Sequence, residues 1–152
     1  GALLRRVREF GFSPVGIDLR EANVAALRGM GIVAYCVGLD AITADPLCRV
    51  VSLQYVLAHL PFPRAALASA NSLLGEGGIL IVATPNIESS LWSEWNQTGS
   101  NPYWGEIECF HHFGRTRLYA LLRQEGFEPL RYSLGLRYRA CMEVIARKLP
   151  AA

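Results

Sequence analysis

The chain has 152 residues, a length that suits one domain. Hydrophobic residues make up 51% and charged residues 18%, which supplies a sizeable core and excludes a disordered chain. A net charge of +2 is too mild to argue for nucleic acid as a partner, and neither a secretory signal nor an apolar run of membrane-spanning length is visible. Cys36, Cys48, Cys109 and Cys141 show no metal-like spacing and read as reduced thiols of a cytoplasmic protein.

Leu3, Leu4, Val7 and Phe10 form one helical stripe, which Gly11 closes. Pro14-Val15-Gly16-Ile17-Asp18-Leu19 reads as a short buried strand ending in an acid. Residues 21–30 read as a helix with Val24 and Leu27 inward, and 32–37 as the next strand. Gly38-Leu39-Asp40 follows, and residues 43–47 read as a polar turn around Pro46.

Two apolar runs, 50–53 and 79–83, are rich in β-branched residues and fit strands covered on both faces. Between them, Leu67, Ala70 and Leu74 recur at helical spacing with Ala66 and Leu73 beside them. Gly75, Gly77 and Gly78 punctuate the end of that helix, where a left-handed residue is often required. Strand, helix and strand at this length make a parallel crossover unit. Residues 54–59 and 84–86 then fall at the carboxyl edge of the sheet, where open α/β sheets bind ligands.

The periodicity stops after Asn86. Residues 87–108 read as a long loop carrying Trp92, Trp95 and Trp104, either covering the sheet edge or forming a lid over a substrate pocket. Leu118, Leu121 and Leu122 mark a last helix, which Gly126-Phe127 closes. Residues 128–135 and 139–147 read as an antiparallel hairpin turning at 136–138, with a short tail from Arg147.

Together, Val56-Leu57-Ala58-His59-Leu60-Pro61-Phe62-Pro63 and Leu73-Leu74-Gly75-Glu76-Gly77-Gly78-Ile79-Leu80-Ile81-Val82-Ala83-Thr84-Pro85-Asn86 resemble the second half of a class I S-adenosylmethionine-dependent methyltransferase domain. The group that includes the ubiquinone-biosynthesis O-methyltransferases is the one most similar to it. Cys109-Phe110-His111-His112-Phe113 and the helix after it extend the resemblance, which runs from Gly1 to about Lys148. It implies an α/β, Rossmann-like three-layer sandwich with a mostly parallel sheet and a C-terminal antiparallel hairpin. It also implies that the first, central strand and its glycine-rich turn are missing from this chain, so that the sequence is expected to be a fragment of a longer one.

The resemblance further implies S-adenosylmethionine as cofactor and a small-molecule acceptor, methylated most readily at oxygen. Gly1 matches the last glycine of the family's turn; Asp18, with Leu19 beside it, matches the acid that binds the ribose; Asp40 matches a position near the adenine. Cys48-Arg49 stands where the family usually has Phe-Asp before its fourth strand. Gln54 and Tyr55 match the strand end that passes the methionine part of the cofactor. Asp18 is thus either a ribose ligand or a helix-capping acid. His59 is either a general base toward a phenol or alcohol or a histidine that fixes its turn. His111 and His112, adjacent and so pointing apart on a strand, are a poor metal pair, and one of them is a candidate for the substrate pocket with the three tryptophans. A reading of another class stands beside these: a methyltransferase-like domain that has lost its cofactor and serves as a scaffold.

Overall fold

The computed structural model describes residues 1–43, 48–135 and 139–150. Most of the polar turn read at 43–47 and the hairpin tip read at 136–138 therefore lie outside the described residues. The chain divides into two compact units, 1–43 and 44–152.

In the first unit, helix α1 (Ala2–Glu9) leads to strand β1 (Val15–Ile17), helix α2 (Glu21–Gly29) and strand β2 (Val33–Tyr35). β1 and β2 pair in parallel, Val15 opposite Val33 and Ile17 opposite Tyr35. Val24, Leu27, Ile32 and Ala34 form the core, with Leu4 and Cys36 packed on it. A Cβ at Gly16 would meet Leu27 Cδ1 at 2.6 Å inside this core, so any larger residue there would force the Leu27 side chain to shift. The stripe expected on α1 is only half used. Leu4 and Val7 are partly covered, whereas Leu3 and Phe10 stay exposed at 51% and 75%, since an eight-residue helix has room for only a narrow contact.

The second unit holds a four-stranded sheet ordered β3-β4-β6-β5, formed by β3 (Cys48–Gln54), β4 (Leu74–Pro85), β5 (Phe127–Leu134) and β6 (Cys141–Lys148). β3 and β4 run parallel; β4–β6 and β6–β5 are antiparallel. The connections explain this. Helix α3 (Pro63–Leu73) carries the chain back to begin a parallel strand, while only six residues separate β5 from β6, too few for a crossover to a parallel strand. β4 and β6 are the inner strands, and Leu80, Val82, Met142, Val144 and Ala146 are fully buried along them. Leu67, Ala70 and Leu73 of α3, and Leu118 and Leu122 of helix α5 (Arg115–Gln124), are buried as well. Each large side chain removed from water in this way contributes about 1.5–3 kcal/mol.

Three expectations change. The run 50–53 is not covered on both faces: β3 is the edge of its sheet, Val50 is 48% exposed and only Leu53 is buried. The glycines after α3 do not cap it. β4 begins at once at Leu74, and the left-handed residue, Gly77 at φ +67°, lies where the β3–β4 register shifts. The end of α3 is closed instead by Lys148, whose Nζ donates to the Asn71 and Leu74 carbonyls at 2.8 and 2.7 Å. That lysine belongs to β6, so the chain from Arg147 is strand before it is tail. Among the described residues no helix is long and apolar enough to cross a membrane.

Candidate functional site

Two groups of residues matter, one in each unit. In the first unit β1 delivers Asp18 to its carboxyl end. One carboxylate oxygen, Oδ1, accepts the Arg20 backbone N–H at 2.9 Å, and Oδ2 accepts an Asn23 side-chain N–H at 2.7 Å. These two bonds, backbone first, hold the carboxyl below its ordinary value against the opposing effect of burial, and the Arg20 guanidinium 3.7 Å away adds to them. Each oxygen still has an unused acceptor position. Asp18 and Gly1 line one small cavity of about 190 Å³, together with Asn23, Ala26, Leu27 and Met30. A rigid, ionised acceptor pair beside a cavity fits a vicinal diol such as a ribose. Leu19 points its side chain to solvent, 73% exposed, while its carbonyl accepts from Cys36 Sγ at 3.5 Å. Asp40 is exposed on a short 3-10 turn and folds its carboxylate over Gly38, into the space a Cβ would take.

In the second unit the carboxyl ends of β3 and β4 meet the segment after β4. Gln54 Nε2 turns back to Ser52 Oγ at 2.9 Å. Tyr55 is the only described non-glycine residue with a left-handed backbone, φ +56°, yet its N–H still reaches the Ala83 carbonyl at 2.9 Å. A bulky residue in that region costs about 1–3 kcal/mol, and such strain clusters at functional sites. Tyr103 Oη lies 3.4 Å from Cys141 Sγ, within hydrogen-bond reach. Burial, then the Cys141 contact, raises the Tyr103 phenol far above its ordinary value.

Residues 87–108 are not an irregular loop. Ser89 accepts the Trp92 N–H at 3.1 Å and caps helix α4 (Ser90–Gln97). Asn101 accepts the Tyr103 N–H at 3.0 Å and opens a 3-10 turn over Pro102–Gly105. Asn96 Oδ1 ties the two together, taking bonds from Asn101 Nδ2 at 2.8 Å and Trp104 Nε1 at 2.9 Å. The three tryptophans then separate. Trp92 is 2% exposed and central, stacked on Tyr103 at 5.0 Å and edge-on to Trp104 at 5.6 Å. Trp95 is half-buried beside Tyr103, and Trp104 is 63% exposed. Nothing in the local pattern marked Tyr103 or Cys141 for this cluster; the Ser89 and Asn101 caps were readable signals for the two helical pieces.

His59 ends a 3-10 turn, and its Nδ1 lies 3.0 Å from the Glu108 carbonyl. A carbonyl only accepts, so Nδ1 carries the proton and Nε2 of the neutral ring is left as an acceptor. The same turn is stapled to the later segment by the Phe110 and His111 N–H groups, which both donate to the Ala58 carbonyl at 3.0 and 3.1 Å. His111 Nε2 donates to the Pro61 carbonyl at 3.2 Å. His112 packs against Trp104 and Trp92 at 5.0 and 5.4 Å, with Cys109 Sγ 3.7 Å from its Nδ1. Burial lowers its pKa, Glu106 opposes that shift and His111 adds to it. Asn86, 2% exposed, donates to Tyr132 Oη at 3.1 Å and accepts the Glu88 N–H at 3.0 Å, fixing the chain where it leaves the sheet.

A family described as a methyltransferase domain matches residues 1–132. No curated protein sequence matches the chain significantly. Among solved structures, the chain is similar to the 1,6-didemethyltoxoflavin-N1-methyltransferase of Burkholderia thailandensis, bound to 1,6-didemethyltoxoflavin and S-adenosylhomocysteine. The TM-score is 0.70 at 17% identity, over 93% of this chain and 64% of that one. It is also similar to the magnesium protoporphyrin IX methyltransferase of Synechocystis with bound S-adenosylhomocysteine (0.68, 14%, 88% and 63%) and to the N-methyltransferase NodS of Bradyrhizobium japonicum in complex with S-adenosylhomocysteine (0.61, 15%, 88% and 65%). The chain thus spans less than two thirds of the length of these three proteins. At such identities the neighbours establish the fold, and the family match carries the assignment: the chain belongs to the methyltransferase-domain family, with the α/β fold of class I S-adenosylmethionine-dependent methyltransferases.

Proposed function

We propose that this chain serves S-adenosylmethionine-dependent methyl transfer to an oxygen of a small-molecule acceptor. The observation that carries the reading is Asp18: an ionised carboxylate, held by Arg20 and Asn23, that keeps free acceptor positions beside a cavity it shares with Gly1. Asp18 would hold the ribose hydroxyls, with Gly1 and Leu19 as neighbouring backbone and Asp40 toward the adenine. Gln54 and Tyr55 would flank the methionine portion, where the strained Tyr55 backbone supports a positioning role. The cofactor, when bound, supplies a methyl group already activated on a sulfonium. The protein therefore has mainly to align the nucleophile and keep water out.

In the second unit, Trp95, Trp104, His111 and His112 would bind the acceptor, while Trp92, enclosed at 2% exposure, would support them through its contacts with Tyr103 and Trp104; these rings favour a flat apolar body. His59, its tautomer set by the Glu108 carbonyl, takes the hydroxyl proton on Nε2 as the methyl arrives. That tautomer suits a hydroxyl nucleophile, whose proton must leave as the methyl arrives. The test is calorimetric titration of the full-length protein with S-adenosylhomocysteine, followed by transfer of labelled methyl to a panel of phenols, alcohols and amines. Binding with labelling of hydroxyl acceptors is expected. No binding would overturn the proposal in favour of a scaffold role, and labelling of amines alone would overturn the oxygen assignment.

A further inference from the structure

We propose that the cleft between α3 and α5 binds a small organic anion, a carboxylate on a flat apolar body. The cleft measures about 560 Å³, lies wholly within the second unit and is lined in part by His111 and His112, so the inference rests on the acceptor site proposed above and names the chemistry it takes. That is the size of an ordinary small-molecule site. Phe113 and Leu121 supply apolar wall, and Phe110, 60% exposed, stands at the rim. Two arginines line it, and they differ. Arg64 is spent: its guanidinium pairs with Glu125 at 2.9 Å and donates to Gln124 Oε1. Arg117 has no acid, carbonyl or ring partner among the described residues. The neighbouring arginines of α5 do have one, Arg115 over the Tyr132 ring at 5.2 Å and Arg123 over Tyr119 at 5.6 Å.

The placement of Arg117 adds to this. It sits in the first turn of α5, together with Arg115, and that turn holds no acid and no side-chain cap. The Glu88 carboxylate lies over Gly114, the residue before that turn, and answers the positive end of the helix, but the Arg117 guanidinium itself is left without an acid among the described residues. An anion in the cleft would compensate the Arg117 guanidinium, while its apolar body covers Phe113 and Leu121. The guanidinium fork matches a carboxylate through two parallel bonds, which is why a carboxylate is the class named.

The test uses the full chain with no cofactor present, so its failure is distinguishable from failure of the methyl-transfer reading. Naphthoate is titrated by ligand-observed NMR, with naphthamide as the neutral isostere. Saturable naphthoate binding is expected, with naphthamide weaker by about tenfold or more, as loss of a charge-assisted pair requires. Arg117→Gln should remove that preference with an unchanged melting curve, and Arg117→Lys should restore part of it. Equal binding of the two probes, an unaltered preference in Arg117→Gln, or no saturable naphthoate binding would each overturn the proposal.

Discussion

Replacing His59 by asparagine separates its two possible jobs. The imidazole makes one hydrogen bond, Nδ1 to the Glu108 carbonyl at 3.0 Å, from a half-buried position. An asparagine amide can donate from nearly the same place as Nδ1, but it has nothing at the position of Nε2. His59→Ala loses the clamp, worth about 0.5–1.5 kcal/mol for one neutral bond. In a domain of this size that lowers the melting temperature by roughly 1–6 °C. His59→Asn should stay within about 1 °C of wild type, since the donor is kept. If Nε2 is the base, both variants lose about 10²–10⁴-fold in kcat toward a hydroxyl acceptor, and the limb of the pH–rate profile that belongs to the base disappears. The assays are thermal melts and initial rates of methyl transfer at saturating cofactor. A His59→Asn enzyme with wild-type kcat, beside a destabilised His59→Ala, would refute the base and leave His59 as the clamp of its turn.

Asp18→Ala should weaken S-adenosylhomocysteine binding by about 1–3 kcal/mol in calorimetry, through loss of a charge-assisted ribose contact, and unchanged affinity would remove Asp18 from the site. The tryptophans should split by burial: Trp92→Ala, emptying a fully enclosed position, should cost about 3–5 kcal/mol in denaturant unfolding, while Trp104→Ala should change stability by about 0.5 kcal/mol and raise KM for the acceptor. Stability should also fall on acidification through His112. Its native pKa is depressed by burial, so the unfolded imidazole, at about 6.5, takes up its proton first as pH drops. The contribution is complete above that value and lost as pH falls through the native one; melting curves at pH values spanning this window should show it, and His112→Phe should flatten the dependence.

Much of the second unit was legible because its signals are local. The apolar run at 79–83, the Leu67-Ala70 spacing and the two C-terminal alternations each identify an element, and β4, α3, β5 and β6 lie where they point. The Thr84-Pro85-Asn86 turn and the acid after Val15-Gly16-Ile17 likewise marked the carboxyl ends of strands. What the sequence could not supply was pairing. A β-branched run reads the same in an inner strand as at an edge, so only the ladder order revealed that Val50 faces solvent. Trp92 and Trp104 have the same side chain within one segment, and the Ser89 and Asn101 caps turn one into the core and the other out. The partners that define the chemistry are as distant along the chain: Glu108 for His59, Cys141 for Tyr103, Lys148 for the end of α3. By itself the sequence determined which backbone segments become helix and strand, because that depends on near neighbours and on side-chain periodicity. The tertiary structure alone decided which surfaces are covered and which tautomer and charge each polar group holds, because burial and hydrogen bonding depend on atoms that the chain brings together only when it folds.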